Sequence, residues 1–191
     1  MGVLVAVALI IVALAVIASI GIAHASHYTG YRWALPYTYS CYDSYSLNNV
    51  RIDGSTGRYS LVASEIDQAR NSWNNLPSIF EIRRSTSCNN WITAASFNAV
   101  FLARTFWNQQ GGYLVDVDTE INSYYSYASA SRCTVPPYTL DYVMRHEFGH
   151  WVMFDDVFYW NPSSVMYGGY HCQRWDSIKS YDSNELSSIY G

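Results

Sequence analysis

Charge is scarce in this sequence: only 14% of the residues are Asp, Glu, Lys or Arg, and the balance is acidic, with a formal net charge of −4 and a pI near 5.6. No basic patch suited to a phosphate backbone results, so nucleic acid is excluded as a partner. The four cysteines, Cys41, Cys88, Cys133 and Cys172, lack C-x-x-C spacing, which argues against a cysteine-held zinc. No glycosylation sequon is present, because Asn161-Pro162-Ser163 is barred by its proline. No repeat, linker or low-complexity tract divides the chain. No Lys or Arg precedes the apolar run from Val3 to Ile22, so loop charge does not set an orientation for it.

That run is uncharged and ends near Ala23-His24-Ala25, the small-x-small form of a signal peptidase site, and it directs the chain out of the cytoplasm. It is also long enough to span a bilayer. Residues 1–25 are therefore a signal peptide or an N-terminal membrane anchor, and both readings stay open. Residues 26–191 suffice for one domain with its own core, with no separate propeptide expected. The expected location is extracellular, secreted or anchored at the outer face of the membrane. Membrane contact is expected only through the N-terminal segment, and the domain is expected to be a monomer. In that compartment an even cysteine count favours two disulfides. The 18 Tyr and 7 Trp fit an extracellular domain that uses tyrosine in place of charge.

The chemistry concentrates in His146-Glu147-Phe148-Gly149-His150. On a helix, positions i and i+4 lie about 40° apart around the axis, so His146 and His150 can share one metal ion while Glu147 faces the same side. Glu147 would then act on a water polarised by the metal, taking its proton and later returning it to a leaving amine. Leu140, Met144, Phe148, Trp151 and Val152 follow helical spacing in a different sector, which gives the helix one face for the core and one for chemistry. Thr139, after Pro136 and Pro137, is placed to cap it. The bland alternative is a buried helix whose histidines are merely satisfied core groups.

Two histidines leave a metal short of ligands, and Asp156 stands six residues after His150. His146-Glu147-x-x-His150 followed by Asp156 resembles the metzincin zinc-protease signature in the variant with aspartate as third ligand. Ser164-Val165-Met166-Tyr167 is similar to that clan's Met-turn, the methionine that lies beneath the zinc. The resemblance is closest to matrixin-like catalytic domains and covers most of the chain after its N-terminal segment. Arg32 to Tyr39 is similar to their opening strand, Ser60 to Asn74 to their first long helix, and Leu186 to Gly191 to their closing helix. Tyr113 to Asn122 alternates Val115, Val117, Thr119 and Ile121 with polar residues, as a half-buried strand does. It resembles the edge strand that borders the cleft, where an extended substrate would pair by strand addition.

The resemblance implies an α+β fold with a twisted mixed sheet, two long helices and a C-terminal helix. It implies an extracellular zinc endopeptidase with Zn²⁺ on His146, His150 and Asp156, Glu147 as general base and acid, and Met166 as the floor. The partner implied is a protein or peptide substrate, with Tyr170 as a wall of its pocket. Cys41–Cys88 with Cys133–Cys172 is the preferred pairing, since the second bridge would tie the start of the zinc-helix region to the segment beyond the Met-turn. Met153 departs from the family, which places a glycine there for a sharp turn. Either the turn is built differently, or Asp155 or His171 replaces Asp156. A catalytically silent extracellular binding domain of the same fold is the alternative function. A zinc protease of another clan would instead use Glu185.

Overall fold

Ile66, Ala69 and Trp73 recur at helical spacing, and in the computed structural model of the chain they lie on the buried face of helix α1 (Tyr59–Asn74). The structure describes residues 28–53, 55–56, 58–128, 138–157, 164–167 and 178–191. The expected N-terminal segment 1–25, Cys133, Cys172, Tyr170 and His171 lie outside them. Helix α1 stops ahead of Pro77, whose ring could not continue it.

The fold is α+β. Strands β1 (Arg32–Trp33) and β2 (Tyr37–Cys41) come first, and the expected opening strand is thus broken by residues 34–36. Pro36 supplies no N–H to a ladder and offers only its carbonyl, which takes the Glu81 amide at 2.9 Å. A small three-stranded patch follows, in which β3 (Arg51–Ile52) sits between β4 (Ser55–Thr56) and β9 (Ser126–Tyr127). β2 and β5 (Glu81–Ser85) form a two-stranded parallel sheet. The four-stranded sheet has β8 (Tyr113–Asn122) paired in parallel with β1 and β6 (Ile92–Ala95) and antiparallel with β7 (Ala103–Gln110), and an isolated Cys41–Trp91 bridge links the two sheets. The Cys41–Cys88 disulfide forms as expected and ties the end of β2 to the chain entering β6.

β8 corrects the sequence reading twice. It is an inner strand, with β1 and β6 on one side and antiparallel β7 on the other, so among the described residues β7 is the edge. The sequence of β7, Ala-Arg-Thr-Phe-Trp-Asn-Gln-Gln, is half exposed and lacks clean alternation, which hid it. A bulge also intervenes: Asn108 pairs with Asp116 but Gln109 with Leu114, so Val115 is unpaired. The alternation therefore changes phase, with Leu114 in the core and Val115 on the surface, while Val117, Thr119 and Ile121 are buried as expected.

Helix α2 (Leu140–Trp151) packs across α1. Thr139 caps it, its hydroxyl accepting the Tyr142 amide at 3.2 Å, a contribution of about 1 kcal/mol. Leu140, Met144, Phe148, Trp151 and Val152 are all fully buried, so the apolar sector is core. The Trp73 indole donates to the Arg145 carbonyl at 2.8 Å, and Arg145 is ion-paired to Asp141 one turn earlier. Helix α3 (Ser180–Tyr190) begins earlier than the expected closing segment, because Asp182 in its first turn is fully buried and binds the chain around Ser164. No helix among the described residues is long and apolar enough to cross a membrane.

Gly149 lies where α2 meets its neighbours: a Cβ there would stand 2.0 Å from Met166 Sδ and 3.3 Å from Trp73. Alanine is the better helix former by about 1 kcal/mol, but overpacking a filled core costs about 1–3 kcal/mol, so the clash prevails. Urea unfolding of Gly149→Ala is expected to show a net loss of up to about 2 kcal/mol; a gain would mean that Met166 is not held beneath the helix.

Candidate metal centre

Helical spacing brings the His146 and His150 rings together, with centroids 5.0 Å apart and planes nearly perpendicular. Each ring is fixed by a backbone carbonyl. His146 Nδ1 lies 3.0 Å from the Val165 oxygen and His150 Nδ1 lies 2.7 Å from that of Phe154. A carbonyl only accepts, so both imidazoles carry a proton on Nδ1 and turn Nε2 outward, a lone pair whenever the ring is neutral.

The turn after the helix brings in the third group. Met153 takes φ of 73°, the left-handed conformation that glycine usually supplies. Around it the Met153 amide donates to His150 and the Phe154 amide to Gly149, each at 3.0 Å, the paired closure of a Schellman motif. A non-glycine residue there costs about 1–2 kcal/mol. Met153 offsets this because its side chain is fully buried, a gain of about 1.5–3 kcal/mol, and its carbonyl takes the Thr29 amide at 2.9 Å. The sharp turn is thus made without glycine.

Asp156 follows, its Oδ1 2.9 Å from His146 Nε2 and 3.7 Å from His150 Nε2. The three ligand atoms lie within 4.8 Å of one another, a group that could hold a metal ion. Asp155 is exposed and not part of it. Glu185 is engaged elsewhere, accepting the Tyr28 amide at 3.1 Å.

The donor chemistry suits a cation. With each imidazole neutral and its one proton on Nδ1, two nitrogen lone pairs and a carboxylate oxygen converge, and the buried Asp156 Oδ1 is then left without a donor. Without a metal, a proton can serve as that positive charge. Burial opposes a charged His146, but the Asp156 hydrogen bond and the Glu147 and Asp156 charges prevail and raise its pKa to about 9. Burial and the neighbouring His146 push His150 down. Burial would raise Asp156, yet the His146 hydrogen bond and both imidazoles bring it below the usual carboxylate range.

Met166 is fully buried against Gly149, directly beneath the helix that carries both histidines. Its turn is locked from α3: the Ser164 hydroxyl and the Val165 amide donate to Asp182 at 2.7 and 2.8 Å, and the Met166 amide donates to Ser164 Oγ at 3.0 Å. Asp182 thereby aims the Val165 carbonyl at His146. A lone Asp in a polar stretch gave no sign of this in the sequence.

Glu147 is almost fully buried and lines a cavity of about 270 Å³ together with His146, Asp156, Val143, Tyr138, Tyr142, Tyr167 and the 100–103 segment. Asn122 holds that segment, its amide donating to the Phe101 carbonyl at 2.9 Å and its own backbone N–H to Leu102 at 2.8 Å. Sequence reading missed two further residues, both on β7. Thr105 donates its hydroxyl to Glu147 Oε2 at 2.6 Å, and Trp107 stacks against His150 with ring centroids 6.4 Å apart. Their i, i+2 spacing, shared with Ala103, was the available signal.

Compared with known proteins, the sequence matches no family model and no curated protein.

Metal titration should find one strong divalent site in the wild type and in Asp155→Ala. Asp156→Ala should weaken it by more than the roughly ten- to hundredfold that loss of a supporting hydrogen bond costs. Because His146 is protonated below about pH 9, metal uptake at pH 7 should release close to one proton, and affinity should fall on acidification. Calorimetry in buffers of different ionisation enthalpy reads this; unchanged affinity in Asp156→Ala would discard the ligand set.

Proposed function

We propose that the domain is an extracellular zinc-dependent endopeptidase of the metzincin type. The observation that carries this reading is the convergence of His146, His150 and Asp156, with Glu147 beside them and all but His150 lining one cavity. Two imidazoles and one carboxylate oxygen form the mixed nitrogen–oxygen set that suits Zn²⁺ and leaves a fourth position open. When bound, zinc would supply Lewis acidity towards a carbonyl and lower the pKa of water. The fold supports the same reading through its mixed sheet with an antiparallel edge strand, the packed pair α1 and α2, and a further helix at the C-terminus. Tyr170, the expected pocket wall, is not among the described residues. Tyr138, Tyr142, Val143 and Tyr167 wall the cavity that is described.

The chain's own groups divide the work. Glu147 takes a proton at its carboxylate and returns it to the departing amine, and its burial keeps bulk water from competing. The outer edge of β7, not of β8, offers backbone N–H and C=O groups along which an extended peptide can add as a strand. The cavity beside Glu147 takes a substrate side chain, and its apolar and tyrosine walls favour a hydrophobic one. The alternative of a silent binding domain rests on Met153 and on an altered pocket wall around Tyr170; the left-handed turn weakens the first ground, and the wall lies outside the described residues.

Glu147→Ala should retain zinc and the fold while hydrolysis of casein or gelatin falls by at least about a hundredfold. Equal turnover in wild type and variant, or none in a zinc-loaded wild type, would overturn the protease reading.

A further inference from the structure

Thr105 belongs to a hydrogen-bonded series that leads from the core to Glu147. The Trp151 indole lies 2.8 Å from Thr119 Oγ1, Thr119 Oγ1 lies 2.8 Å from Thr105 Oγ1, and Thr105 Oγ1 lies 2.6 Å from Glu147 Oε2. Chemistry fixes the direction of each bond. An indole N–H can only donate, so Thr119 accepts from Trp151. A carboxylate only accepts, so Thr105 spends its single hydroxyl hydrogen on Glu147. The bond between the two threonines must then run from Thr119 to Thr105. All three bonds point towards Glu147, the arrangement in which each strengthens the next.

The series is shielded: Trp151 and Thr119 are fully buried and Glu147 is 4% exposed. It joins three elements, since Trp151 closes α2, Thr119 sits in β8 and Thr105 faces it across the β7–β8 pair. Threonine is stiff at χ1, so the hydroxyl direction is set by the strand. The series fastens Oε2 and leaves Oε1 as the oxygen with no hydrogen bond from the described residues.

We propose that Thr105, backed by Thr119 and Trp151, is a positioning residue that holds the Glu147 carboxylate by Oε2 so that Oε1 serves as the working base. This rests on the protease reading for its consequence, but not for the contact itself. Without the hydroxyl, Glu147 can rotate and both oxygens compete for the same task. The loss falls on the chemical step, because Thr105 is not required for metal or substrate to bind.

The test uses Thr105→Val, which keeps the shape and removes the hydroxyl, beside Thr105→Ser, which keeps the hydroxyl. In Thr105→Val, kcat should fall between about tenfold and a hundredfold, with KM and zinc content unchanged, and Thr105→Ser should recover most of it. A structural role alone would lower stability but not kcat of the folded enzyme. Independently of activity, urea unfolding of metal-free wild type, Thr105→Val, Glu147→Ala and the double variant forms a cycle. The two changes should be non-additive by at least about threefold in the unfolding constant. An additive cycle, or a kcat in Thr105→Val equal to wild type, overturns the proposal. A wild type that hydrolyses nothing overturns the protease reading instead, while the cycle still decides whether Thr105 holds Glu147.

Discussion

Two backbone carbonyls govern the rest of this structure. Val165 and Phe154 each accept an Nδ1–H, and by doing so they turn Nε2 of His146 and of His150 into the space between them, a lone pair for a metal or, on His146 without one, the seat of the extra proton. Phe154 can do so only because the chain reverses within two residues of the end of α2, through Met153. The same reversal delivers Asp156. A second, longer connection sets the other carbonyl: Asp182 in α3 grips Ser164 and Val165, so the third helix takes part in aiming His146 without approaching it. The histidine pair is therefore supported by the turn that directly follows α2 and by two segments farther along the chain, the 164–167 turn and α3.

Electrostatics and packing pull against each other here. Holding the buried Glu147 beside the partly buried His146 and Asp156 would be costly if all kept their ordinary charge states without a cation. A proton on His146 relieves this, and a divalent ion relieves it more fully while satisfying Asp156 Oδ1. The polar contacts around the site follow the same logic: Glu147 has Thr105, Arg145 has Asp141, and Asp182 has Ser164 and Val165. The apolar counterpart is the tight stacking of Gly149, Met166 and Trp73, which leaves α2 little freedom to shift.

Legibility in the sequence followed periodicity and local chemistry. The histidine spacing, the Thr139 cap, the apolar sector of α2 and the inner face of α1 depend on contacts within a turn or two, and all were readable. The strand at 113–122 was readable as a strand but not as an inner one. Alternation reports which face is buried and says nothing about what pairs at either edge. β7 was missed because its outer half is exposed on both faces, and the bulge at Val115 was missed because nothing in the local sequence marks it. Met153 is the instructive case. Its residue type argued against a sharp turn, and tertiary burial outweighed that local penalty. The roles of Thr105 and Asp182 arise from pairings across the fold, which no single-segment pattern encodes.

The central claim is that His146, His150 and Asp156 form one zinc site beside a held Glu147. X-ray absorption at the zinc edge of the loaded wild-type domain tests it most directly. The account requires a mixed shell of two imidazole nitrogens and carboxylate and water oxygens at about 2.0–2.2 Å, with no sulfur. A sulfur scatterer near about 2.3 Å, or a fully aquated ion without imidazole scattering, would contradict it.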